Sequence, residues 1–301
     1  MSETRIPLSV PVSKRSEYKS NYRLATAGTG RLLLIAGDQK VEHLNDDFCG
    51  RGITSEDASP EHLFKIAAGT KGGLLATQLG LISQYGSDYR KVPYLVKING
   101  KSNLGLNDEK DSSRCWWQIN DIVNFKKQSG LNIVGIGYTL YLGGKFEARM
   151  LSRVAQAINT AHENGLIAVL WVYPRGKNVK EEDIHTIAGG AGMAACLDAD
   201  FAKVKYPYGA KNNKLIAKKF KEVVSAAGRT KIICVGGEKR TSKEMLSTTK
   251  DQMTISGTSG LAIGRNLHQR SLIEAIKLAN ELSALIHGPE IKKRSPFLGL
   301  F

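Results

Sequence analysis

The chain has 301 residues, 42% of them hydrophobic, and a formal net charge of +15 with a pI near 9.6. This size and composition allow a large core, in one large domain or two small ones. No run of 18 apolar residues is present, so no transmembrane helix and no membrane partner are expected. The N-terminal stretch lacks the apolar segment of a secretory signal, and the four cysteines are far apart. We therefore expect a cytoplasmic protein with reduced thiols.

The basic excess has three explanations: nucleic-acid binding, an anionic substrate, or a lysine-rich solvated surface. Lysine and arginine are spread along the chain, with no arginine-rich tail and no cluster interleaved with aromatic residues. We therefore expect no nucleic-acid partner. A basic barrel that binds nucleic acid without catalysis is the alternative, and its binding would fall steeply with added salt.

Eight short apolar runs alternate with helical patterns along most of the chain. They are rich in Val, Ile and Leu with little polar alternation, which is typical of buried parallel strands. In chain order they cover residues 32–38, 73–78, 94–99, 133–141, 167–174, 201–207, 232–237 and 260–265. Eight such units over about 250 residues predict an α/β fold of the (β/α)8 or TIM-barrel type. A doubly wound open sheet is the alternative, but no G-x-G-x-x-G follows the first run.

The helical patterns are amphipathic and carry start and stop signals. Apolar stripes predict helices within residues 146–165 and 211–228, each ending at a glycine. Thr241 and Glu244 form a capping box that opens the helix after the seventh strand.

The predicted division of the chain is a single barrel domain with two extensions. Residues 1–30 are expected to form an arm or helix across the bottom of the barrel, residues 31–288 the barrel, and residues 289–301 a tail. A long polar connection, residues 102–117, follows the third strand, where it is either a lid or a plain surface excursion.

The active site of a barrel lies at the C-terminal ends of its strands. Those ends here carry polar and aromatic side chains: Asp38, Lys97, Asn99, Tyr138, Trp171, Tyr173, Arg175, Lys203 and Lys205. Lys203 and Lys205 share one strand face because successive side chains alternate. Facing outward, they would be buried under helices at a large desolvation cost. Both are therefore predicted to point into the lumen near its mouth.

A buried lysine pair suits covalent chemistry. A free lysine amine, with a pKa near 10.4, is protonated at neutral pH. Burial and a like charge lower that pKa, which activates a lysine for Schiff-base formation. Lys203 and Lys205 would each disfavour the other's charge, and Asp38 or Tyr173 would handle protons. The alternative is that one lysine merely pairs with a carboxylate such as Asp38.

Glycines follow the seventh and eighth strands. Gly236, Gly237 and Gly264, with Arg265, lie where many barrels hold a phosphate through backbone N–H groups. Glycine lets the backbone approach the anion closely. Gly236-Gly237 alone, or Gly264-Arg265 alone, would be explained equally well as ordinary turn residues. Together they predict a phosphorylated carbonyl substrate. The six histidines show no paired metal-ligand spacing, so no metal is expected.

Six segments stand in order along the predicted strands: AGDQKVEH (36–43), GIGYTLYLGGKFE (135–147), LWVYPRGK (170–177), ADFAKVKYP (199–207), VGGEKR (235–240) and AIGRN (262–266). Together, over about residues 31 to 270, they resemble the archaeal-type (DhnA-type) class I fructose-1,6-bisphosphate aldolases.

The resemblance implies a role for each matching residue. Lys203 matches the Schiff-base lysine, Tyr173 the tyrosine acid/base, and Asp38 the aspartate of the first strand. The glycines and Arg265 match the phosphate-binding loops. Substrate-binding positions are expected at Trp171, Lys205, His43 and Arg175.

The implied reaction is reversible cleavage of fructose 1,6-bisphosphate to dihydroxyacetone phosphate and glyceraldehyde 3-phosphate. It needs no metal or cofactor, belongs to glycolysis and gluconeogenesis, and is expected of a homo-oligomer.

The chain departs from the family at one motif. Many archaeal members read D-H-G-x-E-H after the first strand, whereas Lys40 stands here in place of the glycine. The substitution of lysine for glycine changes the backbone freedom and the charge near the site, so the identity of the substrate is left open. The alternative is another lysine-dependent aldolase or transaldolase, acting on a different phosphorylated sugar or deoxyketose.

Overall fold

The computed structural model describes residues 5–104, 111–208 and 213–288. Strands β1–β10 are Leu32–Ala36, Gly73–Gln78, Tyr94–Lys97, Asn99–Gly100, Arg114–Cys115, Ile133–Leu142, Ile167–Pro174, Phe201–Val204, Lys231–Val235 and Gly260–Ile263. Helices α1–α12 are Arg15–Ala25, Gln39–Glu42, Glu61–Gly69, Leu79–Tyr85, Ile119–Ser129, Glu147–Glu163, Ile184–Cys196, Asn213–Lys219, Lys221–Ala226, Ser242–Asp251, Arg265–His268 and Leu272–His287. Within these residues, no helix has the length and apolarity needed to cross a membrane.

Eight of the strands close into a parallel barrel in the order β1-β10-β9-β8-β7-β6-β3-β2. The predicted (β/α)8 barrel is therefore confirmed, and the open sheet is excluded. All eight predicted strands are present, with ends that differ by a few residues. The two remaining strands, β4 and β5, form a short antiparallel pair beside the mouth.

The strands are buried on both faces, which explains their continuous apolar runs. Alternate residues fill the lumen, among them Leu34, Leu95, Trp171, Phe201 and Ile233. The residues between them, such as Ile35, Leu170 and Val204, form a second core under the helices. Side chains alternate along each strand between the lumen and the helices, so the position of a residue in its strand decides which of the two it faces.

The helices agree with the predicted signals, with one difference. Helix α6 covers Glu147–Glu163, and the capping box of Thr241 and Glu244 opens α10. The single helix predicted over 211–228 is two, α8 and α9, separated at Phe220, where ψ is −8°. Residues 211 and 212 lie outside the described part of the chain. The buried Phe220 ring packs into the outer core, and the distorted turn keeps it there.

Part of the N-terminal segment packs against the lumen core. Helix α1 places Tyr18 and Tyr22 against the lumen core, and the Tyr22 ring stacks on Phe201 with ring centroids 5.8 Å apart. The predicted boundaries at residues 31 and 288 stay predictions, and the predicted tail, 289–301, lies outside the described residues.

Part of the long connection after β3 is ordered against the barrel. Arg114–Cys115 pairs with Asn99–Gly100, and the Trp116 N–H donates to the Ile98 carbonyl at 2.8 Å. This part of the connection is a hairpin fixed to the strand end. Residues 105–110, the middle of the predicted lid or excursion, lie outside the described part of the chain.

A buried polar network ties the arm to the barrel. The fully buried His162 ring lies 3.1 Å from Asp200 and 3.3 Å from Asp198. Ser9, from the arm, hydrogen bonds to His162 Nδ1 at 2.8 Å, and the Tyr18 hydroxyl donates to Asp200. Burial alone would lower the pKa of His162, but its hydrogen bonds to the two carboxylates raise that pKa to about 9. The charged imidazolium thus holds the two carboxylates together.

The network predicts a pH-dependent stability. Because the folded-state pKa exceeds the unfolded value of about 6.5, the stabilisation is complete below about pH 6.5 and is lost as pH rises through 9. Its full size is on the order of 3 kcal/mol. We expect the Tm of the wild-type chain to fall over this window, and that of His162→Gln to be lower at pH 6.5 and nearly flat. Parallel Tm profiles of the two chains across pH 6.5 to 9.5 would contradict this role.

Candidate active site

A cavity of about 260 Å³ opens at the C-terminal ends of the barrel strands. The residues for which the sequence predicts a catalytic, substrate-binding or phosphate-binding role all line it: Asp38, His43, Trp171, Tyr173, Arg175, Lys203, Lys205, Gly236, Gly237, Gly264 and Arg265. Lys97, Asn99 and Tyr138, also named at the strand ends, do not line it. Three other cavities are larger: about 620 Å³ beneath the arm, about 470 Å³ outside the barrel and about 280 Å³ between α1 and α5. None of the three lies at the strand ends, where the polar side chains of several strands converge, so the 260 Å³ cavity is the candidate active site.

Lys203 lies in the lumen, with 6% of its surface exposed. Its ammonium position is 4.6 Å from the centre of the Trp171 ring, to which it is aligned in the parallel register of β7 and β8. Burial lowers the pKa of Lys203; the Asp38 and Glu42 carboxylates oppose that shift, and the Lys97 charge adds to it. The predicted inward orientation is confirmed, and the environment favours the neutral, nucleophilic amine.

The like charge beside Lys203 comes from a different strand than predicted. Lys97, on β3, is fully buried, donates to Asn99 at 2.8 and 3.1 Å, and lies 3.9 Å from Glu42. Lys205 follows the end of β8, is 26% exposed, and pairs with Glu181. Lys205 is not among the charges that shift the pKa of Lys203. The two lysines therefore have different surroundings: Lys205 lies at the rim beside the Glu181 carboxylate, whereas Lys203 faces the closed lumen.

These contacts predict different effects for two matched substitutions. Lys97→Met removes a like charge and leaves Glu42 unpaired, and both changes raise the pKa of Lys203. The pH midpoint for trapping an iminium with borohydride should therefore move upward. Lys205→Met should leave that midpoint where it is. An unchanged or lower midpoint in Lys97→Met, or an upward shift only in Lys205→Met, would contradict this electrostatic assignment.

Tyr173 lies near the end of β7 and faces the same cavity. Its ring stacks on Tyr141, with centroids 6.3 Å apart. Burial raises its pKa well above the usual value, and the Asp38 and Glu42 carboxylates raise it further. The phenol therefore stays protonated at neutral pH, and it can act as a proton donor.

Several buried polar atoms at this cavity have no hydrogen-bond partner among the described residues. The acceptors are Asp38 Oδ1, Gln39 Oε1 and Glu42 Oε1, and the donors are Trp171 Nε1 and Arg265 Nε. Buried polar groups are almost always hydrogen-bonded, so a cluster of exceptions needs a polar occupant. Three acceptors and two donors around one cavity suit a ligand that carries both hydroxyl groups and anionic groups.

The anionic end of the cavity lies at β9, β10 and the turn after β1. Arg265 Nε lies 3.8 Å from Asp47, which bonds to His43 at 2.5 Å. The hydrogen bond that His43 donates to Asp47 raises the pKa of His43 against the effect of burial. A charged His43 would add to the positive charge of Arg265 beside the glycine loops.

The glycines at this end differ in what their backbone offers. The Gly236 N–H already donates to the Ala262 carbonyl at 2.7 Å, so this amide is occupied. Gly237 has a φ of +73°, which favours glycine. A Cβ at Gly264 would collide with the side-chain amide of Gln39. The backbone at Gly237, Gly264 and Arg265 is the part of this end that remains for an anion.

Two further side chains shape the opening. Arg175 lies with its guanidinium 4.6 Å from the centre of the Tyr141 ring and 3.6 Å from Glu181. Tyr138, named from the sequence as the end of the fourth strand, points away from the lumen because it alternates with Thr139 and Tyr141, which face inward. Tyr141 lines the cavity in its place, aligned in register with Tyr173.

Sequence reasoning gave no role to Glu42, Tyr141, Gln39 or Glu181. Glu42 follows Asp38 by one helical turn, a spacing that puts two carboxylates on one side of α2. Tyr141 shares its parity with the lumen residue Thr139, which the strand pattern alone could have shown. Among the described residues, no group of three or more His, Cys, Asp or Glu side chains could hold a metal ion.

The chain is similar to known aldolases along most of its length. Residues 32–270 match the family described as DeoC/LacD family aldolase. The chain belongs to this aldolase family. A fructose-bisphosphate aldolase/6-deoxy-5-ketofructose 1-phosphate synthase of Methanocaldococcus jannaschii is 49% identical over 97% of the chain and 93% of its own length. A class 1 fructose-bisphosphate aldolase of Halobacterium salinarum is 34% identical over 80% and 85%.

Solved structures of aldolases share the fold. A fructose-bisphosphate aldolase from Slackia heliotrinireducens superimposes with a TM-score of 0.90 at 47% identity, over 95% of this chain and 90% of that one. An archaeal fructose-1,6-bisphosphate aldolase, solved with its catalytic lysine covalently bound to the carbinolamine intermediate of its substrate, gives a TM-score of 0.76 at 28% identity, over 90% and 100%. The predicted family is thereby confirmed, and the chain is a lyase of the aldolase type.

Proposed function

We propose that this chain is a class I aldolase that cleaves fructose 1,6-bisphosphate reversibly through a Schiff base on Lys203. One observation carries the assignment. Lys97 lies near Glu42, and Lys205 pairs with Glu181, whereas Lys203 has no carboxylate within 4.0 Å among the described residues. Together with the burial that lowers its pKa, this argues against a merely structural lysine and supports a nucleophile.

The proposed chemistry begins at the ketone. The Lys203 amine attacks C2 of the open-chain sugar to give a carbinolamine, which loses water to form an iminium. One of the two carboxylates, Asp38 or Glu42, takes the proton of the C4 hydroxyl. The C3–C4 bond then breaks, its electrons pass to the iminium, and glyceraldehyde 3-phosphate leaves an enamine on the lysine.

The return of the proton completes the cycle. Tyr173, which burial and the neighbouring carboxylates keep protonated, donates its proton to C3 of the enamine. The protonated carboxyl group restores the phenol. Water then hydrolyses the new iminium, releasing dihydroxyacetone phosphate and the free Lys203 amine, so no metal, redox partner or cofactor takes part in this sequence of steps.

The substrate contacts follow from the unpaired polar atoms. Asp38, Glu42 and Gln39 are acceptors for sugar hydroxyls, and the Trp171 N–H is a donor above the lysine. Gly237, Gly264 and Arg265 would hold one phosphate through their backbone and guanidinium groups, with His43 behind them. Lys205 and Arg175 at the rim would attract the second phosphate.

A second activity is supported by one relative. The Methanocaldococcus jannaschii protein, 49% identical, is also named a 6-deoxy-5-ketofructose 1-phosphate synthase. Retro-aldol cleavage of that product between C3 and C4 gives dihydroxyacetone phosphate and methylglyoxal. The enamine on Lys203 would therefore make it simply by accepting methylglyoxal in place of glyceraldehyde 3-phosphate.

The test of function uses both substrates. Purified protein should release dihydroxyacetone phosphate and glyceraldehyde 3-phosphate from fructose 1,6-bisphosphate, measured by coupled reduction of each product. With methylglyoxal added, mass spectrometry decides whether the deoxyketose phosphate forms. No cleavage of the bisphosphate, with formation of the deoxyketose from dihydroxyacetone phosphate, would restrict the function to synthesis.

Insensitivity to chelators is a separate prediction. Prolonged treatment with EDTA and removal of the chelator should leave the rate of cleavage unchanged, because the proposed steps stabilise the developing charge on the iminium. A loss of activity that zinc or another divalent ion restores would overturn the mechanism.

The proposal extends to the cell. A role in glycolysis and gluconeogenesis, a cytoplasmic location and a homo-oligomeric assembly accord with the aldolase family and with four cysteines that are all unpaired. Size-exclusion chromatography with light scattering measures the assembly directly.

A further inference from the structure

A second cavity of about 470 Å³ lies outside the barrel, between helices α5 and α6 and the β4–β5 hairpin. We call it the α5–α6 groove; its walls include Ser113, Trp117, Tyr138, Phe146, Arg149 and Arg153. It shares no lining residue with the active-site cavity. Its volume is within the usual range of small-molecule sites, about 300–1,000 Å³.

Two buried donors of the groove lack partners. Ser113 is only 6% exposed, and neither its hydroxyl nor the Trp117 indole N–H has a hydrogen-bond partner among the described residues. An indole N–H can only donate, and a hydroxyl can donate as well as accept. Unsatisfied buried donors on one wall of a cavity indicate a ligand with acceptor oxygens.

The charges of the groove point to an anion. Arg114, Arg149 and Arg153 line it, and among the described residues no aspartate or glutamate does. Within the described part of the chain, none of the three arginines has a carboxylate within 4.0 Å, unlike Arg175 and Arg265 at the active site. Guanidinium groups bind phosphate through paired hydrogen bonds, which makes several arginines around buried donors a phosphate-type site.

Part of the wall is aromatic. The Trp117, Tyr138 and Phe146 rings and the Met150 side chain face the same space as the arginines. Such surfaces take up a flat apolar ring, and cationic arginines beside them bind the attached phosphates. The thiol of Cys115 and the phenol of Tyr138 both have pKa values raised by burial. Neither is a ready nucleophile or base at neutral pH, so the groove is suited to binding rather than to chemistry.

We propose that the α5–α6 groove is a binding site for a nucleoside phosphate, separate from the aldolase site. The groove lies against the outer side of the segment 97–99, whose Lys97 carries the charge next to Lys203. Ile98 faces the groove, while its neighbours Lys97 and Asn99 bond to each other on the lumen side. A ligand in the groove would therefore contact the outward side of this segment.

The test is equilibrium dialysis of the full-length chain with ATP, with the active site saturated by fructose 1,6-bisphosphate. We expect one ATP to bind per chain and to quench the fluorescence of Trp117, a signal that Trp117→Phe removes. Arg149→Ala/Arg153→Ala should weaken binding by about 10-fold or more, the effect of losing charge-assisted bonds to phosphate. Ser113→Ala should weaken it by a smaller factor.

A matched control variant also loses two positive charges, at positions that do not line the groove. Lys218→Ala/Lys221→Ala removes two exposed cations from α8 and α9, and should bind ATP as the wild type does. Circular dichroism establishes that each variant is folded. Three results would overturn the proposal: no binding of ATP at millimolar concentration, equal binding by the arginine variant, or binding of inorganic pyrophosphate as tight as that of ATP. The first is also the result expected if a second copy of the chain covers the groove.

Discussion

Lys203→Ala should abolish cleavage of fructose 1,6-bisphosphate, with a loss in kcat on the order of 10⁶, the scale seen when a covalent nucleophile is removed. The expected loss is large because no other lysine of the cavity is available to replace it. Lys97 is bonded to Asn99 and lies beside Glu42, and Lys205 is paired with Glu181 at the rim. These contacts hold both side chains in place, so neither is free to take over the attack on the ketone.

The controls separate chemistry from folding. Lys203→Met keeps most of the side-chain volume in the lumen and should be as inactive as Lys203→Ala, although better packed. Lys205→Ala should keep most of kcat and raise KM, because its charge lies at the opening. Activity within 10-fold of wild type in either Lys203 variant would contradict the assignment.

Tyr173→Phe should lower kcat by about 10²–10⁴-fold with a modest change in KM, the usual scale for a lost acid/base group. The phenol is held protonated by burial and by the Asp38 and Glu42 carboxylates, so its proton is available for the enamine. Removing the hydroxyl leaves the ring, its stacking on Tyr141 and the shape of the cavity unchanged.

Tyr141→Phe is the matched control for Tyr173. The two rings stack, but the Tyr141 oxygen accepts a hydrogen bond from the Arg175 guanidinium, so we assign Tyr141 to positioning Arg175 and not to proton transfer. Its removal should change kcat by a factor of a few. If Tyr141→Phe loses more activity than Tyr173→Phe, the proton donor is Tyr141, and the sequence-based assignment fails.

The barrel could be predicted because its signals are local. Each strand is a continuous apolar run, and parity within the strand places Phe201, Lys203 and Trp171 in the lumen. The same rule applied to β6 places Tyr141 in the cavity and Tyr138 under the helices, so naming Tyr138 at the strand end was an error of position within the strand.

Contacts across the lumen could not be predicted from spacing. Lys97 and Lys203 stand on β3 and β8, with β6 and β7 between them, and 106 residues separate them in the sequence. The sequence pattern predicted Lys205 as the charged neighbour of Lys203, because such a pattern reveals neighbours within one strand and not those across the lumen. The pairing of Lys205 with Glu181 depends on the loop after β7, whose path no local pattern specifies.

The measurement that tests the Schiff-base assignment most directly is borohydride trapping with dihydroxyacetone phosphate, followed by peptide mass spectrometry. Reduction of the iminium to a secondary amine should add the mass of the reduced triose phosphate to the peptide that contains Lys203, and to no other. Lys203→Ala should show no adduct, and Lys205→Ala should retain it. An adduct on Lys97 or Lys205, or no adduct on any lysine while the enzyme is active, would contradict the account.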